Sequence, residues 1–579
     1  MNRAFFLLSI IVLIMVAYFP ATRGGLSEMD DVHVMRTYFA HDDWSLAKAL
    51  TPSGGIYFRP VVGIKDAFNH KVLGGIPRLL HFQNIFVHTA SALLIFWICS
   101  LALAEYGRRD PVPPFLAALL FGLHPLATES VAWVSGHSDL LATFFVLCSC
   151  GMLFKYRQNK QGRYFALMLV LFMCALLSKE VSLAFAPGMI LLLSSTSGQM
   201  GRDGAGYKKS LLLRVCLLLL GVVGSVAALV KMRGIDELMS HPKMSKTLIL
   251  LTEHSFESAL QFAKSLGFHF SKIFYPWPLS FAITEVADGF IYIGFILFFV
   301  CCLLFVSDRS VPVRLFMSGM FFFVPALPVA LGFIAWTPFA ERYAYTACAF
   351  VVMALVVGLY VGWSHKEAVK VAGVSTLCCL LMFFAATTTS RAHLWSDDVA
   401  FFADAVEKSP FFYKVRYAYG NALMKDTQYV AAESQYRKAL ELQALTDDDW
   451  KNQFLLYMGV LRTWEKRYLD AKVFFELALT EYEGESLITA YDKLAWVLNR
   501  LLIEGVEGDP SVLNAQLMGV NLKLYEFRHD PFYLYSAGKS ALAIGDKKTA
   551  RELFGEAYAK LPEGSLYKPM ALKLKNNLK

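Results

Sequence analysis

The sequence predicts an all-α protein in two parts: a polytopic bundle of about eleven membrane spans over residues 1–392, then stacked soluble helices over 393–579. Two compositional facts and one spacing pattern predict it. The 579 residues are 56% hydrophobic and only 18% charged, where soluble chains carry about 25% charge. The apolar excess fills residues 1–389 and then stops; from Trp395 onward the text is charged and ordinary. The third observation is a small-residue register that repeats three times in the second part.

A spanning helix needs about 20 apolar residues. Spans are expected near 4–20, 79–103, 113–125, 138–154, 164–178, 180–194, 211–230, 289–306, 313–332, 342–363 and 369–389. The first begins with a basic residue but lacks an A-x-A site before Arg23, so it reads as an uncleaved span. Basic links (Arg108/Arg109, Lys155/Arg157/Lys160/Arg163, Arg202/Lys208/Lys209/Arg214, Arg309/Arg314, Lys366/Lys370) fall on one side if the N-terminus is cytoplasmic. The segment 254–275 carries Glu257, Gln261, Lys264 and Lys272. It reads as an amphipathic interfacial helix on the outer surface, with its polar groups alternatively lining the bundle. The long loop 21–78, the turn 126–137, the break at 179, the region 231–288 and the turn 340–343 then share the outer face, with the C-terminal part.

The net charge of +8 sits in these short links, which excludes nucleic-acid binding as its cause. All ten cysteines lie in apolar stretches and follow no metal or disulfide spacing.

In the second part, Gly420, Gly459 and Gly538 fall in register, as do Ala432, Ala471 and Ala550, and then Ala439, Ala478 and Ala557. Small residues there let antiparallel helices pack closely. With Tyr429 and Tyr468 they make a tetratricopeptide-like pattern, with a degenerate unit near 491–527. Such pairs stack into surfaces that bind extended partners.

Charges at membrane depth are costly and mark function by default. Asp30 and Asp31 stand where the first span opens into the long loop: either a solvated acidic loop or a catalytic base facing a lipid-borne substrate. Lys179 and Glu180 either satisfy each other in a tight turn, or Lys179 points into a cleft to hold an anion. Glu341 and Arg342 pose the same choice. His124, Glu129, His137 and Asp139 gather around a short third span without metal-ligand spacing, so they read as a polar re-entrant turn. Tyr57 and Arg59 come from the first loop. His81, Asn84 and His88 share a helical face, for which core hydrogen bonding is the default. No phosphate-cradling glycine loop and no G-x-S-x-G elbow is present.

The ordered set "MDDVHVM", "YFRPVV", "HFQNIFVH", "HPLATESVAWVSGHSDLLA", "LSKE", "YPWPLS" and "AERYAY", followed by the repeats, resembles the transmembrane and tetratricopeptide-repeat O-mannosyltransferase family, of the GT-C glycosyltransferase fold. The resemblance implies an inverting transfer of a sugar from a polyprenyl-phosphate donor to an acceptor hydroxyl. It implies that Asp30 is the base, with Asp31 as neighbour or alternate. His137 in "GHSD" replaces the arginine usual in that family's turn, which removes a permanent cation there.

The chemistry agrees with the residues. An alcohol needs a carboxylate to take its proton, worth typically 10²–10⁴-fold. A leaving lipid phosphate needs a cation, for which Lys179, Arg342 and Arg59 are the candidates. Glu180, Glu341, Glu129, His137, Asp139, Tyr57 and His81 form the supporting polar shell. No metal or cofactor is expected, because the donor carries a single phosphate. The expected partners are the polyprenyl-phosphate sugar, membrane lipid and, through the repeats, an acceptor polypeptide. No N-x-S/T sequon occurs, and a bacterial inner membrane is expected, with the endoplasmic reticulum as the alternative.

Rival readings are an O-antigen-ligase-like oligosaccharyltransferase, which would centre on a late outer loop, and a membrane-anchored scaffold, which would need one or two spans. A transporter would show repeated halves, which the apolar part does not.

Overall fold

The computed structural model of the protein describes residues 3–27, 30–31, 58–194, 249, 253–307, 310–332, 335, 337–362, 367–446, 453–505 and 509–578. Regular structure there is helical, and the chain divides into two compact units, Met1–Ser409 and Pro410–Lys579.

The first unit runs α1 (Arg3–Tyr18), α2 (Pro60–Lys71), α3 (Pro77–Ala104), α4 (Val112–Gly122), α5 (Thr128–Ala132), α6 (His137–Asn159), α7 (Gly162–Ser178), α8 (Phe185–Ser194), α9 (Ser255–Phe274), α10 (Gly289–Ser307), α11 (Val311–Phe321), α12 (Tyr345–Gly362), α13 (Glu367–Leu394) and α14 (Asp398–Lys408). Among the described residues seven stretches are long and apolar enough to span a membrane, or eight if the bent pair of α4 with Pro125–Ala132 is one broken span and not a re-entrant loop. On α10, Tyr292, Phe299, Leu303 and Val306 stay exposed. In water such surface costs about 25 cal/mol per Å², and a bilayer removes that cost.

Among the described residues, seven or eight of the eleven expected spans are long and apolar enough to cross, and three of the expected ones differ in form. The span expected at 113–125 bends by 47°, because Pro125 has no N–H to continue the helix and His124 caps the next turn by accepting from Leu126 N at 3.2 Å. The spans expected at 164–178 and 180–194 are shorter helices of 17 and 10 residues, α7 and α8. Extended backbone at Lys179 separates α7 from a 3₁₀ turn leading into α8. At 1.5 Å per residue α7 rises about 25 Å, at the short end of what crosses the roughly 30 Å hydrocarbon core. The span at 211–230 lies outside the described residues.

Helix α9 packs along α10, where Gly267 and Gly294 let the backbones meet; a Cβ at either would run into the facing chain. Of its four polar residues singled out in the sequence, Lys272 is buried with Ser265 and His269, Gln261 and Lys264 are half-buried and Glu257 is exposed, so the helix has one polar edge turned into the protein and another turned outward. Near the C-terminal boundary, α14 belongs to the first unit, past the expected 392/393 division: Phe401 packs on Trp395 (ring centroids 4.2 Å apart) and Phe281 (5.5 Å).

The links fall into two groups. At one end of the bundle Glu105 holds Arg157 (2.7 Å), Tyr360 donates to Asp110 (3.1 Å) and Val311 N donates to Tyr106 (3.2 Å). The candidate residues gather at the other.

The second unit is a series of helix pairs: α15 (Tyr413–Lys425) with α16 (Tyr429–Gln443), α17 (Phe454–Trp464) with α18 (Tyr468–Glu481), α19 (Gly484–Glu504) with α20 (Pro510–Arg528), α21 (Pro531–Ala543) with α22 (Lys547–Lys560), then α23 (Tyr567–Asn577). The register has a direct cause. Gly420, Gly459 and Gly538 lie under the rings of Tyr436, Phe475 and Phe554, leaving no room for a Cβ. The six register alanines are fully buried. The degenerate unit is the pair α19/α20, with a longer first helix. These pairs are consistent with repeats.

Candidate functional site

Asp30 and Asp31 follow the 3₁₀ turn Phe19–Arg23 that ends the first span. Asp31 is buried, whereas Asp30 is exposed. Asp31 accepts from Ser27 N (3.0 Å), Ser135 N (2.8 Å) and Ser135 Oγ (2.5 Å). It therefore ties the start of the first loop to the 3₁₀ turn Val134–Gly136. That turn needs its glycine, since a Cβ on Gly136 would strike the Ser130 carbonyl. Asn84 donates to the carbonyls of Trp133 (2.9 Å) and Val134 (3.2 Å), and His81 donates to Gly25 O (3.2 Å). His88 donates to Gly122 O (3.0 Å) and shares a hydrogen bond with Tyr345 (2.7 Å). All three polar residues on that face of α3 are buried.

The three candidate cations come together. Arg59 and Arg342 lie close enough for their charges to act on Lys179. Each holds a carboxylate far away in sequence. Lys179 Nζ donates to both oxygens of Asp139 (2.7 and 2.8 Å). Arg59 donates from Nε (3.1 Å) and Nη2 (2.6 Å) to Glu180. Arg342 binds Glu129 through its backbone N–H (3.1 Å) and Nη1, and lies over the Trp133 ring at 5.3 Å. The neighbours Lys179 and Glu180 thus do not satisfy each other. Nor do Glu341 and Arg342: Glu341 is buried, accepts from Ser280 N (3.2 Å) and faces Lys272 (3.7 Å). Consecutive residues at these turns point apart, so each takes its own partner.

His137 donates from Nδ1 to Val134 O (2.8 Å), and its Nε2 lies 3.6 Å from Asp66 Oδ2. Asp66 and Lys65, both on α2, escaped the sequence reading. Two charges inside the otherwise apolar "VVGIKDAF" were the available signal. Lys65 Nζ is buried, makes no hydrogen bond and has Asp66 Oδ1 only 3.8 Å away. Burial pushes the Lys65 ammonium down to about 8, against the pull of Asp66 and Asp31. For Asp66, burial acts upward, but His137 and Lys65 outweigh it and hold the carboxyl below its usual range. Tyr57 lies outside the described residues.

The arrangement offers one exposed carboxylate beside a buried, hydrogen-bonded one, with Lys65 close enough for its charge to feel Asp31, and a separate group of three paired cations at the same end of the bundle. That set can take a proton from a hydroxyl and hold an anion. Among the described residues no three His, Cys, Asp or Glu side chains converge as metal ligands.

No family model matches the chain. Protein O-mannosyl-transferase TMTC4 of Mus musculus is 26% identical over 458 residues, covering 69% of this chain and 59% of the relative. The Homo sapiens TMTC4 is 35% identical over 156 residues, 24% of this chain and 21% of the relative. Protein O-mannosyl-transferase TMTC1 of Homo sapiens is 29% identical over 181 residues, 29% and 20% of the two chains. The chain spans at most 59% of the length of these three. With its apolar helices and these similarities, the chain is an integral membrane protein and a distant relative of the protein O-mannosyl-transferases TMTC1 to TMTC4.

Proposed function

We propose that the protein is a membrane glycosyltransferase that moves a sugar from a polyprenyl-phosphate donor to an acceptor hydroxyl. The relatives' names point to mannose as the sugar and protein as the acceptor. The observation that carries the reading is the unequal acid pair: Asp31 is locked by three hydrogen bonds while Asp30 beside it is exposed.

In this reading the acceptor oxygen attacks the sugar C1 as its proton passes to the Asp30 carboxylate. The C1–O bond to phosphate breaks with its electron pair going to the phosphate oxygen, and C1 inverts. Asp31 is a positioning residue that holds the loop against the 134–136 turn. The cations stabilise the leaving phosphate. Arg59 is the most accessible of the three pairs' cations, its side chain 21% exposed, and Lys65 adds a charge with no hydrogen-bond partner. Carboxylates keep the cations charged at membrane depth until a phosphate exchanges with them. The site and the repeats are assigned to the outer, periplasmic face of a bacterial inner membrane, the repeats presenting the polypeptide acceptor.

The test is mass spectrometry of exported proteins and glycolipids from a deletion strain restored with wild type or Asp30→Asn. A sugar that returns with wild type and falls 10²–10⁴-fold with Asp30→Asn supports the base assignment. No glycan difference between deletion and wild type ends the transferase reading. Full restoration by Asp30→Asn ends the assignment of Asp30.

A further inference from the structure

The last helices of the second unit border an open surface groove that neither the transferase chemistry nor the repeat packing uses. It has a volume of about 550 Å³ and lies between α22 and α23. Lys547, Lys548, Arg551 and Lys575 line it, with Glu552 as the one carboxylate.

Three features set this groove apart. First, among the described residues none of its four cations forms an ion pair or a side-chain hydrogen bond, and the Asp546 carboxylate that caps α22 acts on Lys548 only at longer range. Three other lysines of the same region are paired, Lys523 with Glu526 (2.7 Å), Lys560 with Glu556 (2.6 Å) and Lys568 with Glu563 (2.8 Å), whereas Lys539 and Lys573 stand singly among the described residues, so it is the clustering of four such cations that marks the groove. Second, Lys547 and Lys548 open α22, where the positive end of the helix disfavours cations. Stability alone would place them elsewhere. Third, the floor is Gly555, in the interior of α22, where glycine costs about 1 kcal/mol relative to alanine. A Cβ there would make only ordinary contact, 3.4 Å from Lys575 Cε and Nζ, so helix packing does not call for glycine at this position.

We propose that this groove is a docking site for an acidic polypeptide segment, whose carboxylates take the places of the missing counter-charges. Arginine and lysine clusters recognise acidic motifs in this way, and stacked helix pairs are a form that binds extended chains. The site is separate from the acid pair, so binding is read without reference to transfer, and failure here leaves the transferase reading standing.

The experiment is fluorescence anisotropy on the full chain in detergent, with a labelled peptide of alternating glutamate and serine as probe. Vesicles containing 30% anionic lipid form a competing arm and inorganic phosphate another. The acidic peptide should bind, and its affinity should fall with salt as the contacts are screened. The double variant Lys547→Glu/Arg551→Glu should weaken it at least tenfold. Gly555→Leu should weaken it similarly by filling the groove while keeping every charge. Lys523→Glu, on α20, should leave it unchanged. The charge reversals favour the helix dipole, so melting temperature should hold and a folding failure of Gly555→Leu alone would not hide the answer. Peptide binding that ignores the charge reversals overturns the proposal. So does capture of the vesicles through these residues with no peptide binding, which makes the groove a lipid-headgroup site, or competition by millimolar phosphate alone, which makes it a simple anion site.

Discussion

The two units hold most of their charge differently, the Arg462 pairs of the second and Lys264–Asp288 of the first aside. In the first, Lys179–Asp139, Arg342–Glu129 and Arg157–Glu105 have side chains no more than 13% exposed. In the second, Lys438–Glu441 and Lys523–Glu526 have side chains at least 51% exposed. The geometry of the bonds is alike, but the surroundings are not. An exposed pair exchanges one set of hydrated contacts for another and contributes little. A buried pair has already lost its water, so removing one member strands the other. The first unit therefore carries charge that stability does not require, while the second is held by glycine-on-aromatic packing.

That contrast can be broken in four places, from the largest effect to the smallest. Lys179→Met should destabilise the first unit by about 3–5 kcal/mol, because Asp139 is left buried and unpaired. The double variant Lys179→Met/Asp139→Leu should recover most of that. Equal melting temperatures for the single and double variants in detergent would show that the pair is not what the charge supports. Next, Gly459→Val should cost about 1–3 kcal/mol by overpacking against Phe475. Its loss should appear in proteolysis of the second unit, with sugar transfer to a small soluble acceptor unchanged. Parallel loss of transfer would tie the chemistry to the repeats.

The third effect is a pH dependence. Burial lowers the Lys65 ammonium to about 8 in the folded chain, below the value of about 10.4 it has when unfolded. Between these values the unfolded state binds the proton that the folded state has released. Stability contributed at this site therefore rises as pH climbs through the window and is lowest below it. A thermal shift series from about pH 7 to about pH 10 should show a rise in wild type that Lys65→Met lacks. Donor affinity, if it uses this charge, should fall over the same range. Superimposable curves for the two proteins would remove Lys65 from both roles. The smallest effect is Lys523→Ala, which should leave the melting temperature where it was; a clear drop would mean that exposed pairs matter more in the second unit than their surroundings allow.

Much of the fold was legible because it depends on local patterns. Hydropathy marked the spans, and the spacing of Gly420, Gly459 and Gly538 marked the helix pairs, since a ring on the partner helix needs that space. The sequence placed the break at 179 but not the 47° bend before Pro125, since a window of hydropathy does not register a turn of the axis. At the site, the residue types and their common end of the bundle were readable from the parity of the links. Their partners were not. Lys179 beside Glu180, and Glu341 beside Arg342, look like pairs in text, yet each of the four binds elsewhere. Lys65 and Asp66 were passed over because no periodicity distinguishes two charges on a short loop helix from a solvated turn.

By itself the sequence determined the two-part plan, the apolar spans, the links that share a face and the side chains available for acid–base and anion chemistry. Those follow from transfer free energy and helical period, which act over a few residues. Only the tertiary structure decided that Asp31 is buried and Asp30 exposed, and which carboxylate holds which cation. Asp139 meets Lys179 across 40 residues, Arg59 meets Glu180 across 121, and Glu129 meets Arg342 across 213. Ion pairing depends on distance in space and on the loss of water around both charges, and neither quantity is written along the chain.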